Sequence, residues 1–375
     1  MQNFVAIECL RAYLAWWVVI AHASQLSGWR SYLPSRIGMT IEAGAAAVNV
    51  FIIVSGFVIT HLLIAKREAY PQYITRRAFR IWPVYLFCLA VAIAVAGLYE
   101  RAYTLPWVSG TERRIDRFAS EASYFAEHLV LHLTMLHGAI PDELLPDSST
   151  AFLATAWSLS LEWQFYLVAP LLIALLLRSV VMAVFTVSIC IVLFFVAKSG
   201  EIGDWQFNSF LPMSIQYFLI GIFTRIVIDK IRSGGLGVEY FGVLAMLIVS
   251  FAGSLEAVVW IVFSTCIMAE AGLLTFKPSF IKRIADFFVF NRRIAAVGSW
   301  SYSTYLIHVP IFSLVVGGYI QTVDEGMGQR AAIVLVVMCL PITFFVSWLM
   351  YSCIEKPFNL LGRTLVVGTR SDPAV

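Results

Sequence analysis

The chain carries little charge. Asp, Glu, Lys and Arg make up 13% of its 375 residues, about half of what soluble domains use. So few charges cannot cover a water-facing surface, which excludes a soluble globular fold. An apolar content of 60% excludes disorder as well. The net charge is only +3 and dispersed, so nothing points to a nucleic-acid partner. No CxxC pair occurs. Cys9, Cys88, Cys190, Cys266, Cys339 and Cys353 stand singly in apolar runs without histidine clusters. They read as small buried hydrophobes, and no metal site is expected. No Lys or Arg precedes Phe4, while Glu8 and Arg11 interrupt the apolar stretch that follows, the reverse of a secretory leader. Residues 4–21 therefore read as a membrane helix.

What the chain has is apolar length. A helix crossing the hydrocarbon core needs roughly 20 mostly apolar residues. Ten segments qualify: about 5–26, 44–65, 79–99, 157–178, 180–197, 209–229, 236–252, 255–275, 297–318 and 330–353. The stretch 122–140 places Glu127, His128, His132 and His137 among Leu and Phe, and reads as interfacial or re-entrant, not spanning. With the N-terminus inside, seventeen of the 26 basic residues fall on the cytoplasmic side, among them Lys66, Arg67, Arg76, Arg77, Arg80, Lys277, Arg363 and Arg370. Eight fall outside and Arg11 lies within the first helix. An eleventh span at 122–140 would invert every later loop and break this bias. The expected fold is an all-α integral membrane protein of about ten helices, both termini cytoplasmic. It forms a single domain over 1–375, with a long outer connection at about 100–156 and no separate soluble domain.

Ionisable groups at membrane depth are costly and mark function. The first helix runs RAYLAWWVVIAH from Arg11 to His22. Eleven residues make three turns plus about 20°, so both side chains share one face about 16 Å apart. Arg11 could instead simply pair with Glu8, leaving His22 interfacial. In WSLSLEWQFYL, Glu162 lies near the expected depth of His22, where a carboxylate could orient the imidazole. The alternative is a glutamate bonded to its neighbours. In ITRRAFRIWP, Arg76, Arg77 and Arg80 suit either phosphate recognition or the lipid surface. In SWSYSTYLIHVP, Ser301, Tyr302, Ser303, Tyr305 and His308 could line a channel or bond across helices. Ser55-Gly56, in FIIVSGF, permits close backbone approach.

Taken together, these elements resemble the membrane acyltransferase-3 family, whose members acylate cell-surface sugars. The resemblance rests on Arg11-x10-His22, FIIVSGF at 51–57, RRAFRIWP at 76–83, WSLSLEWQFYL at 157–167, SYSTYLIH at 301–308 and IEKP at 354–357, in the family's order along nearly the whole chain. Trp163 departs from the polar or acidic residue common after the glutamate. The resemblance implies a cytoplasmic acyl-CoA donor, acetyl-CoA above all, and a hydroxyl of a polysaccharide or glycolipid as acceptor, at the cell inner membrane. It implies His22 as base or acyl carrier, oriented by Glu162, with Arg11 lining the donor channel or steadying an anionic intermediate. Donor contacts are expected at Arg76, Arg77, Arg80, Ser55, Tyr302 and His308. A glycan transporter or flippase would share these buried charges, although no inverted repeat is visible. A membrane sensor or scaffold would not need them.

Overall fold

The computed structural model describes residues 4–66, 68–276, 279–323 and 326–367; Arg67, Lys277 and Arg370, counted above among the inner cations, lie outside the described residues. The first helix, α1 (Val5–Ser27), starts on a carboxylate from elsewhere in the chain. Glu270 accepts the backbone N–H of Val5 at 2.7 Å and of Ala6 at 3.1 Å, satisfying donors that every helix start leaves unpaired. It ends at Gly28, whose φ of 66° closes the last turn through an N–H bond to Ser24 O. Two helices follow, the short α2 (Ser35–Glu42) and the long α3 (Gly44–Ala65), then α4 (Tyr70–Ala94) and α5 (Ala96–Tyr103).

The long connection at about 100–156 folds into α6 (Thr111–Ser123) and α7 (Phe125–Thr134), and the single amphipathic segment expected at 122–140 is split into α7 and a 3-10 turn at His137–Ala139. After it come α8 (Trp157–Arg178), α9 (Val180–Lys198), α10 (Leu211–Arg232), α11 (Tyr240–Phe251), α12 (Ser254–Glu270), α13 (Ser279–Phe288) and α14 (Arg292–Gly298). The chain closes with α15 (Ser301–Phe312), α16 (Gly318–Thr322), α17 (Gln329–Met350) and α18 (Lys356–Val367). A π-helical turn at Ser313–Gly317 joins α15 to α16, and another at Tyr351–Glu355 joins α17 to α18.

The protein is an all-α membrane protein. Among the described residues, eight helices are long and apolar enough to cross a bilayer. The expected seventh and eighth spans correspond to α11, with 12 residues, and α12, with 17. Both are shorter than the ~20 residues a perpendicular crossing needs. Val180, Val184, Phe185, Val192 and Phe195 of α9 are exposed, a surface matched to lipid.

Small residues bring the site helices together. A Cβ at Gly56 of α3 would lie 2.3 Å from the Phe218 carbonyl oxygen, and one at Gly221 of α10 would lie 2.0 Å from that of Ile53. Glycine at both positions lets α3 and α10 touch along their backbones. At Gly298 a Cβ would lie 1.8 Å from Glu8 O, so α14 presses on α1 and sets where α15 begins.

Candidate active site

Helix α1 is unbroken from Arg11 to His22, so the two side chains share a face about 16 Å apart, as its periodicity requires. Arg11 Nη1 lies 3.4 Å from Glu8 Oε2. At the other end, His22 Nδ1 lies 3.0 Å from Val18 O and 3.1 Å from His308 Nε2. His308 Nδ1 in turn lies 3.1 Å from Thr304 O. One tautomer pair satisfies all three contacts. His308 carries its proton on Nδ1 and donates to Thr304, which leaves Nε2 as an acceptor. His22 carries its proton on Nδ1, shared between Val18 O and His308 Nε2. The lone pair of His22 Nε2 is therefore free. His308 is fully buried and His22 only partly so.

A narrow cavity of about 90 Å³ opens between α1, α3, α4, α8 and α15. Its α3 wall runs from Val48 to Ile59, about 16 Å along that helix. The opposite wall is polar: Arg11, Arg77, Arg80, Glu162, Tyr166, Tyr302 and Tyr305. Glu162 Oε1 accepts from Ser55 Oγ at 3.0 Å and also from the Tyr166 hydroxyl. The Arg77 guanidinium sits over the Tyr166 ring, 5.9 Å from its centroid. Tyr302 Oη donates to Ile81 O at 2.6 Å. Tyr305 Oη lies 2.8 Å from both Ser158 Oγ and Thr155 O, and its ring is 6.3 Å from that of His308. Tyr305 thus connects the cavity to the histidine pair.

Of the residues singled out from the sequence, Arg11, Ser55, Arg77, Arg80, Glu162 and Tyr302 meet in this cavity. Five expectations change. The ring partner of His22 is His308, not Glu162, whose charge bears instead on Arg77 and Arg80. The expected shared depth fails because Glu162 is anchored to Ser55, well down α3 from Gly44, the residue that faces Ala21 beside His22. His308 stands outside the cavity lining, as the partner of His22. Arg76 points away and pairs with Glu68. Arg11, a helix-length from His22, is also too far to steady charge there. The charge of Arg114 in the outer connection bears on His22 instead.

Sequence reading missed three groups, Tyr166, Ser158 and Glu355, whereas Tyr305 was already among the polar residues expected to line a channel or bond across helices. Tyr166 stands one turn from Glu162, so the i, i+4 spacing was its signal. Ser158 and Tyr305 meet only across helices. Glu355, 3% exposed, accepts from Ser303 Oγ at 2.9 Å, and its charge bears on Arg80. The π-helical turn ending at Glu355 shifts the side-chain register there.

The connection between α5 and α8 braces the start of α8. His137 Nε2 lies 3.2 Å from Ala156 O, and Gly138 N donates to Ser160 Oγ at 2.9 Å. The His132 and His137 rings stack at 3.9 Å and 3°, and Tyr85 Oη lies 2.8 Å from His132 Nδ1. Burial pushes His137 down to about 4, and His132 well below the ordinary imidazole range. Such face-to-face rings cannot direct lone pairs at one ion, and the described residues hold no group of three metal-type ligands.

The family model for the acyltransferase domain matches residues 4–352. The chain belongs to the acyltransferase-3 family. This acyltransferase is 23% identical to the acyltransferase MdmB of Streptomyces mycarofaciens, over 96% of its own length and 94% of that protein. It is 24% identical to the O-acetyltransferase OatA of Staphylococcus aureus (strain NCTC 8325 / PS 47) over 95% of its own length, but spans only 57% of OatA. No solved structure matches it.

Proposed function

We propose that this acyltransferase moves an acyl group, acetyl above all, from cytoplasmic acyl-CoA to a sugar hydroxyl of an envelope polysaccharide or glycolipid at the cell inner membrane. Membership of the family supports acyl transfer. The name of OatA supports acetyl and an oxygen acceptor. The thin donor arm enters the cavity from the arginine end and presents its thioester beyond Tyr305. The observation that carries the reading is the free Nε2 of His22, held by His308 at the opposite end from Arg11, Arg77 and Arg80.

In this scheme the sugar O–H gives its proton to His22 Nε2 as the oxygen attacks the thioester carbon. A C–O bond forms, the C–S bond breaks, and the departing sulfur takes the proton back from the imidazolium. His308 holds the imidazole in the required tautomer throughout.

The test is mass spectrometry of surface glycans from cells carrying His22→Ala. O-acylation should fall at least ~100-fold, the ordinary share of a general base, with protein abundance unchanged. Full acylation in that variant would overturn the assignment. Transfer of label from acyl-CoA by purified protein separates the enzyme from a glycan transporter, which has no need of the donor.

A further inference from the structure

Helix α13 (Ser279–Phe288) buries one side chain, Ala285. At about 100° per residue, Phe280, Ile281, Ile284, Phe287 and Phe288 fall within roughly 120° of arc, and Ser279, Lys282, Arg283 and Asp286 within an opposite arc of ~100°. Ala285 lies between the two faces, so neither is turned into the protein. Phe280 is 67% exposed and Phe287 63%. Ten residues reach about 15 Å, half the hydrocarbon thickness, so α13 does not cross. A short helix with one apolar and one charged face suits the headgroup boundary of a bilayer.

The charge on this segment is unbalanced. Lys282 and Arg283 on α13, and Arg292 and Arg293 opening α14, are all exposed, and Asp286 is the one acid among them. The bias of Lys and Arg along the chain reads this side as cytoplasmic, where the leaflet is negatively charged. The same segment grips α1. Tyr13 Oη donates to Phe288 O at 2.8 Å, and Cys9 Sγ to Asn291 O at 3.3 Å. These two side chains flank Arg11, two residues away on either side. Asn291 Oδ1 also accepts from Arg293 N at 2.9 Å, which caps α14, the helix that Gly298 seats against Glu8.

We infer that α13 docks on an anionic lipid leaflet and from there holds the Arg11 turn of α1 in place. Its apolar face enters the acyl boundary, while Lys282, Arg283, Arg292 and Arg293 bind headgroup phosphates. Phe288 and Asn291 carry that seating to α1 through Tyr13 and Cys9. A bilayer poor in anionic lipid therefore loosens the helix that brings Arg11 to the cavity. Both parts stand on contacts of this segment, and neither needs the acyl-transfer reading.

The experiment uses the full-length protein in nanodiscs of phosphatidylcholine, alone or mixed with phosphatidylglycerol. Cys353 is the exposed cysteine, so a bimane label is attached at Phe287→Cys or at Asp286→Cys in a Cys353→Ser background. Lipids with a doxyl group high on the acyl chain should quench the Phe287→Cys label, and aqueous iodide the Asp286→Cys label. Iodide quenching of both would overturn the docking and leave the apolar face to a protein partner or a second copy. Lys282→Gln and Arg283→Gln should each weaken binding of spin-labelled phosphatidylglycerol about fivefold, the share of one basic residue at a charged membrane surface. Arg283→Lys should keep most of it, showing that charge and not folding is read, and unchanged binding in the glutamine variants would overturn the headgroup contact. Hydrogen exchange between Ala6 and Tyr13 should slow on adding phosphatidylglycerol, and the double glutamine variant should lose that slowing. Exchange indifferent to the lipid would overturn the hold on α1. None of these readouts depends on turnover, so absence of acyl transfer would count against the proposed function and not against this contact.

Discussion

His308 Nε2 lies 3.1 Å from His22 Nδ1, joining two imidazoles 286 residues apart in the chain. This contact, together with Val18 O and Thr304 O, frees the Nε2 of His22 for chemistry. In the proposed reaction His308 is a positioning residue. His308→Ala should lower the transfer rate about 10–100-fold, the usual scale for an orienting partner, with the donor KM unchanged. Initial-rate assays in membrane vesicles check this, and a KM that rises with the fall in kcat would assign His308 to donor binding instead.

Glu162 keeps its place through Ser55 Oγ and the Tyr166 hydroxyl. Removing one of these donors leaves a partly buried carboxylate short of a partner, at about 1–3 kcal/mol. Tyr166→Phe should therefore lower both thermal stability and donor affinity. Adding Ser55→Ala should cost more than the two single losses combined, since each donor compensates for the other. A thermal-unfolding cycle of the four proteins measures the coupling; strict additivity would show that the carboxylate has other partners.

The buried stack in the outer connection makes stability depend on pH. His137 titrates near 4 when folded, and His132 lies well below the ordinary value, against about 6.5 for both in the unfolded chain. Below about pH 6.5 the unfolded state binds more protons, so this contribution is complete above pH 7 and drains away as pH falls toward 4. The slope for His137 is about 1.4 kcal/mol per unit. Burial holds Asp142 and Glu121 above the ordinary carboxylate range, which works in the opposite direction at lower pH. The readout is therefore the difference between proteins. The drop in Tm from pH 7.5 to 5.5 should shrink in His137→Gln, and an unchanged drop would place the acid sensitivity elsewhere.

Close packing at Gly56 and Gly221 holds α3 against α10. Gly221→Ala would force a methyl group to within 2.0 Å of Ile53 O unless the helices separate. Overpacking of this kind costs about 1–3 kcal/mol. The variant should lose stability and, because Ser55 moves with α3, should lose transfer activity as well. Normal unfolding temperature together with normal activity would show that the helices part freely.

The membrane character, most of the spans, and the shared face of Arg11 and His22 were legible in the sequence. Each depends on a local quantity: apolar length, or 3.6 residues per turn. Tyr166 belonged to the same class, one turn from Glu162, and was passed over. Glu355 had no such signal, since Ser303 and Arg80 reach it only through the packing of three helices. The break after α7 was also hidden, because His128, His132 and His137 looked like the polar face of one amphipathic helix, whereas Met135 turns the chain at positive φ between His132 and His137.

By itself, then, the sequence determined that this is a helical membrane protein with a few ionisable groups too costly to be incidental, placed at set heights and angles on their own helices. Only the tertiary structure decided which of those groups meet. His22 joins His308, Glu162 joins Ser55 and Tyr166, and Glu355 joins Ser303. Helix periodicity orients a side chain about its own axis, but the backbone contacts at Gly56, Gly221 and Gly298 set how each helix lies against the next.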